Sequence, residues 1–293
     1  MIDILTAPFH YDFMQRAFVT ALLVGGLCST LGTFVVLRKL SFIGDGVAHA
    51  SFAGIVIAYI RGLNFEFGAA VVAVLTALGI GYINRRGRVS LDTAIGVLFT
   101  GVFALGVFLM SRVRTSTVDL QDFLFGNILG VETGDLWIDV GLAAIVFASV
   151  AWNYRTLLFA SFDPTVARAS GLPVVLVDYM LLVLLALTIV ISLESIGIIL
   201  VAALLVTPAA AAAQVTRRFV PMLLVSTAVG IGSCIGGLYL SYYVGAASGA
   251  TIVLVATAAF FALLAIGRRR AGRSPVDAAT RRRVRAPQET EST

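Results

Sequence analysis

The sequence predicts an all-α integral membrane protein, a polytopic bundle of about nine transmembrane helices. Three observations carry that expectation. Of the 293 residues, 59% are hydrophobic and only 13% charged, with a mean hydropathy of +0.98, whereas soluble domains carry about a quarter charged residues. The apolar residues are gathered into nine runs, each close to the ~20 residues that a helix needs to cross a bilayer. The basic residues lie between those runs and in the tail, with a bias to alternate gaps, which is the pattern of membrane topology rather than of nucleic-acid binding.

In chain order, the first run (17–37) opens after Arg16 and is closed by Arg38 and Lys39. The second (44–60) ends at Arg61, and the third (67–83) ends before Arg85, Arg86 and Arg88. The fourth (93–111) stops at Arg112, the fifth (135–153) before Arg155, and the sixth (174–192) begins after Pro173. The seventh (197–215) contains Pro208, which predicts a broken helix, since such breaks survive in membranes where protein or a water-filled cavity satisfies the freed backbone groups. The eighth (220–242) and ninth (249–267) complete the bundle, the last meeting Arg268. Eight spans result if one short run is only re-entrant. A permease-like domain over 1–267 and an Arg-rich tail over 268–293, disordered by composition, are the expected divisions.

Seventeen of the 21 basic residues fall on one side of this arrangement; Arg16, Arg61, Arg112 and Arg114 fall on the other. The positive-inside rule then sets the N-terminus outside and the C-terminus in the cytoplasm. Lys39 is the one lysine, and no GxxxxGK[ST] motif occurs, so the chain has no Walker A route to ATP. Cys28 and Cys234 stand singly inside apolar runs, which disfavours a disulfide framework or thiolate zinc site. The first fifteen residues lack the basic and apolar segments of a removable signal peptide.

Three segments could carry chemistry. In Ser41–Gly54, Asp45 and His49 are four residues apart and share a helix face, where a carboxylate and an imidazole can hold a divalent cation or relay a proton. An N-cap for Asp45 and a helix–helix hydrogen bond for His49 are the structural alternatives. Glu194 lies between two apolar runs with no basic residue near it in sequence and is a third candidate ligand, or an exposed residue of a tight turn. In the loop before Pro173, the stretch 161–171 reads as a short helix. Asp163 suits its N-cap, Pro164 its first position and Gly171 its left-handed terminus, with Phe162, Val166 and Ala169 as an apolar stripe. Such a helix serves as a docking element or rests on lipid. Leu120–Gly130 is expected outside, as a short interfacial helix.

Four blocks together resemble the membrane permease of metal-ion ABC importers, the manganese, zinc and iron-chelate family: Val35–Ala50, Phe123–Leu129, Phe162–Pro173 and Gly197–Ala213, in the family's order and spacing over about 15–267. Ala53 stands where some relatives have proline. The resemblance implies a type II importer fold in a prokaryotic cell membrane. It also implies a second permease copy, a cytoplasmic ATP-binding subunit and an extracytoplasmic metal-binding protein. No cofactor is implied to be held permanently, the metal being cargo. The block holding Asp163, Pro164, Thr165, Val166, Arg168 and Gly171 would be the coupling helix that meets the ATPase, and Asp45 and His49 would face the pathway. Oxygen and nitrogen ligands without thiolate suit manganese, iron or zinc. A proton-coupled secondary metal transporter would use the same ligands without an ATPase. An intramembrane hydrolase built on Ser51 and His49 is disfavoured: residues two apart on a helix point in different directions, and no GxSxG motif is present.

Overall fold

In the computed structural model, residues 10–87, 89–112 and 128–271 are described. They form eleven α-helices and one 3-10 turn, Ile128–Gly130. The first four helices are α1 (Asp12–Leu37), α2 (Ile43–Arg61), α3 (Phe65–Arg86) and α4 (Leu91–Met110). After α5 (Thr133–Trp152) come two short helices, α6 (Tyr154–Phe162) and α7 (Pro164–Ala169). The remainder is α8 (Val174–Ile196), α9 (Ile198–Val215), α10 (Phe219–Val244) and α11 (Ser248–Ala271). Among the described residues, nine helices are long and apolar enough to cross a membrane, at the nine runs read from the sequence. Most of the segment Leu120–Gly130 and the tail beyond 271 lie outside the described residues. α11 itself continues through Arg268 and Arg269.

α1 is the most enclosed span and forms the axis of the bundle, packed against α5, α9 and α10. α2 packs on α3 and α4, and α8 joins the two groups by lying against α3 and α2. Hydrocarbon gives apolar helices no hydrophobic reason to associate, so close backbone approach takes over. A Cβ at Gly32 in α1 would sit 1.9 Å from the Leu205 carbonyl oxygen of α9. One at Gly54 in α2 would sit 2.2 Å from the Gly68 carbonyl of α3. These crossings exist only because the side chains are absent.

Pro208 does not break its run. α9 is helical from Ile198 to Val215 with Pro208 buried within it, because enclosure by α1, α10 and α11 holds the helix where the proline ring removes a donor. The break falls instead at Gly197, the single residue between α8 and α9, with φ 83° and ψ 160°. That region of backbone space is essentially confined to glycine.

Gly54→Val should overfill the α2–α3 crossing and cost about 3 kcal/mol or more, read as a lowered unfolding temperature in detergent. Gly101→Ala, where an added Cβ meets nothing within 4 Å, should leave that temperature within a degree or two of the parent's.

Candidate functional site

α2 begins two residues before Asp45, so Asp45 lies in its first turn and His49 one turn later on the same face. His49 Nδ1 stands 2.8 Å from the Asp45 backbone carbonyl and 3.3 Å from Asp45 Oδ1. A carbonyl oxygen only accepts, so Nδ1 carries the proton and donates. In the neutral ring Nε2 therefore keeps its lone pair and is the atom free to bind a cation. The ring is steadied by two phenyl groups of α4, Phe99 at 5.9 Å and Phe103 at 5.7 Å between centroids. The Asp45 side chain is 54% exposed on the single chain and that of His49 27%. The N-cap reading of Asp45 does not hold: Phe42 occupies the cap position, and its side chain makes no capping bond.

Glu194 is in the last turn of α8, and its side chain lies outside what the structure describes. Its neighbours Leu193, Ser195 and Ile196 are buried, so the α8–α9 junction is not an exposed loop. Asp178, on the first turns of α8, is in contact with Arg38, only seven residues before Asp45, whereas Glu194 lies sixteen residues, roughly 24 Å of helix rise, further along α8. Among the described residues no three His, Cys, Asp or Glu side chains converge on one point.

Two ionisable groups escaped the sequence reading. Asp139 in α5 is 1% exposed, and Ser195 Oγ donates to its Oδ2 at 3.1 Å, which ties α5 to the end of α8 beside Glu194. Its position inside an apolar run was the available signal, by the rule that drew attention to Glu194. Asp178 accepts from both Arg38 and Arg85, and so joins the ends of α1 and α3 to the start of α8. Arg38 Nε also donates to Ser161 Oγ at 2.9 Å, on the last turn of α6.

The short helix α7 is capped as its sequence predicts. Asp163 Oδ1 accepts from the Thr165 and Val166 amides, both at 2.9 Å, with Pro164 at the first position. At the other end Gly171 has φ 77°, and the Leu172 amide donates to the Ala167 carbonyl at 3.1 Å. Ala167 is buried on Ala160 and Val174, while Phe162, Val166 and Ala169 are exposed. A rigid helix is thus held against the bundle with an uncovered apolar stripe.

Residues 10–267 match the model of the ABC 3 transport family. The chain belongs to the ABC 3 transport family. Within it, the chain is 44% identical over 250 residues to the manganese transport system membrane protein MntC of Halalkalibacterium halodurans, covering 85% of this chain and 86% of that protein. It is 38% identical over 266 residues to the chelated iron transport system membrane protein YfeD of Yersinia pestis, covering 91% and 89%. Among solved structures it is similar to PsaBC from Streptococcus pneumoniae, determined in complex with Fab, with a TM-score of 0.78, 36% identity, and 90% and 95% of the two chains covered. The resemblance read from the four sequence blocks therefore holds along the chain. It is an ABC permease subunit, a multi-pass membrane protein without an ATP-binding motif of its own.

For this ABC 3 family chain the caps of α7 are directly testable. Asp163→Ala should cost about 1 kcal/mol of local helix stability, and Gly171→Val more, because a β-branched residue resists positive φ. Hydrogen exchange at the Thr165 and Val166 amides should quicken in both variants while α1 and α8 keep their protection.

Proposed function

We propose that this chain forms the translocation pathway of an ATP-driven importer of divalent transition-metal ions, manganese, iron or zinc, with Asp45 and His49 as its pathway ligands. The observation that carries the reading is the contact of His49 Nδ1 with Asp45, which leaves Nε2 as the free ring nitrogen. With Nδ1 held by Asp45, an imidazole nitrogen and a half-exposed carboxylate are offered from one helix face within the membrane. An ionised carboxylate is not left facing lipid. Its exposure on the single chain is accounted for by a water-filled path closed by a second permease copy, which would bring its own Asp45 and His49 to the ion. Oxygen and nitrogen donors without thiolate fit these three metals, in keeping with the manganese and chelated-iron systems of the relatives.

Glu194 we assign to a separate station nearer the other end of the path, because α8 carries it far from the end where Asp45 sits. Two stations of few ligands suit transport, which needs binding weak enough to release. In this reading the basic end, with Arg38, Arg85, Arg168 and Arg217, faces the cytoplasm, and the described N-terminal residues face outside. A cytoplasmic ATP-binding subunit meets α7 at Val166 and Ala169, together with Phe162 at the end of α6. An extracytoplasmic metal-binding protein delivers the ion to the opposite face, in a prokaryotic cell membrane. Residues 1–267 make up the permease domain, and the Arg-rich 268–293 stay on the cytoplasmic side.

Asp45→Asn and His49→Ala, expressed at parental levels in the membrane, should each lower uptake of radioactive manganese or zinc at least tenfold. Uptake by the parent should fall as the pH is lowered, because a protonated ring has no lone pair for the metal. Parental uptake by the double variant would remove both residues from the path. Uptake that persists after loss of the ATP-binding subunit would favour a proton-coupled secondary transporter.

Orientation has its own check. Thr165→Cys in intact cells should resist a membrane-impermeant thiol reagent and become reactive once the cells are opened, while Arg61→Cys should react from outside. Labelling of Thr165→Cys in intact cells would reverse the assignment.

A further inference from the structure

Where α7 rests on the bundle there is a cavity of about 580 Å³, lined at its basic end by Arg38, Lys39, Arg85 and Arg168. Asp178 is the one acidic residue among the described residues that line it, and it is shared between Arg38 and Arg85. The four cations and one carboxylate leave the wall with a net charge of +3, and Lys39 and Arg168 have no carboxylate partner in it. Arg38 Nη2 is buried and makes no hydrogen bond to the described residues. Apart from Asn84 and Ser161 the rest of the lining is apolar, and Leu37, Leu91 and Leu182, from three membrane spans, supply accessible surface to it. The volume is that of a small-molecule site.

Lys39 adds a second and independent observation. It follows the C-cap Arg38 of α1 and adopts φ 58°. The Leu40 amide donates to the Val35 carbonyl at 2.8 Å and the Lys39 amide to the Val36 carbonyl at 3.2 Å, which is the helix terminus where glycine normally stands. Four other positive-φ positions in the described chain are glycine: Gly62, Gly171, Gly197 and Gly245. At this one the sequence places its single lysine and accepts the strain. The backbone gains nothing from that choice, whereas the cavity gains a cation.

We propose that this cavity binds the phosphate of an anionic phospholipid, with the headgroup held by Lys39 and Arg168 and an acyl chain lying along Leu37, Leu91 and Leu182. A cluster of cations beside an apolar wall at the membrane edge is the recognition chemistry of such a lipid. Free phosphate would satisfy the cations and leave the wall wet. The lipid would fill the space between α7 and the ends of α1, α3 and α8, so its binding would stiffen the seat of the short helix. The site is separate from Asp45 and His49 and does not depend on the metal reading.

The test uses the full-length chain purified in neutral detergent and titrated with phosphatidylglycerol, with bound lipid counted by native mass spectrometry. Phosphatidylcholine and inorganic phosphate are the comparison ligands. Lys39→Gly removes the charge while relieving the positive φ, so weakened binding in that variant cannot be ascribed to a damaged turn. Arg168→Gln removes the second cation from an exposed position of α7. At roughly fivefold per cation, the double variant should bind phosphatidylglycerol about twenty- to thirtyfold more weakly. The parent should bind phosphatidylcholine at least tenfold more weakly, and inorganic phosphate should not displace the lipid. Equal phosphatidylglycerol binding by parent and double variant would overturn the proposal, as would displacement by inorganic phosphate. Unchanged lipid binding together with lost attachment of the ATP-binding subunit would also overturn it, and would give these cations to a protein partner.

Discussion

A charge or a backbone polar group carried into hydrocarbon must find a partner there, and the architecture of this chain follows from that cost. Backbone groups are satisfied by running nearly all the described residues as helix, with a single-residue corner at Gly197 in place of a loop. Charges are treated one at a time. Asp178 is placed between two arginines, Asp139 is buried against Ser195, and Asp45 holds a histidine one turn away. Each arrangement also fastens helices that apolar packing alone would leave free to slide: α8 to α1 and α3, α5 to α8, and α2 toward α4 through the His49 ring.

The same fastenings connect the short helix α7 to the proposed pathway by a short route. Arg38 donates to Ser161, one residue before the end of α6, and Asp163 then caps α7. Arg38 is also the C-cap of α1, and the turn from Lys39 to Phe42 leads straight into α2 and Asp45. A displacement of α7 thus reaches the first turn of α2 through one side-chain hydrogen bond and a few residues of backbone. Because α1 is fixed against α9 by the Gly32–Leu205 contact, the displacement has little slack in which to dissipate. In the proposed reading, ATPase movement would alter the ligand geometry by this path.

Much of the fold was legible because the bilayer imposes a length and a polarity that appear in the linear sequence. All nine runs correspond to helices, with ends shifted by a few residues. The caps of α7 were legible for a related reason, since Asp163, Pro164 and Gly171 are each specified by local backbone geometry. Pro208 misled because a proline reports only its missing donor; enclosure by three neighbouring helices is a tertiary fact. Pairings over long separations, such as Arg38 with Asp178, could not be read at all, and the basic residues registered only as topology. His49 and Asp45 were found because four residues apart is a helix spacing. Where Glu194 stands along the membrane normal relative to them depends on depth, which sequence does not supply.

In the proposed reading the pair makes a metal site that one chain leaves incomplete. A structural metal cage closes four ligands around the ion. Here two donors project from one turn and a half of a single helix, and the Nδ1 bond to Asp45 constrains the imidazole plane without enclosing it. Phe99 and Phe103 flank the ring on the side of α4 and restrict its rotation. An ion held by so few groups keeps part of its water and exchanges ligands readily, which is what passage demands. Supplying the remaining donors from a symmetry-related copy would make occupancy depend on the separation of the two chains. Release would then require only that two helix faces part, with no ligand having to leave its own helix.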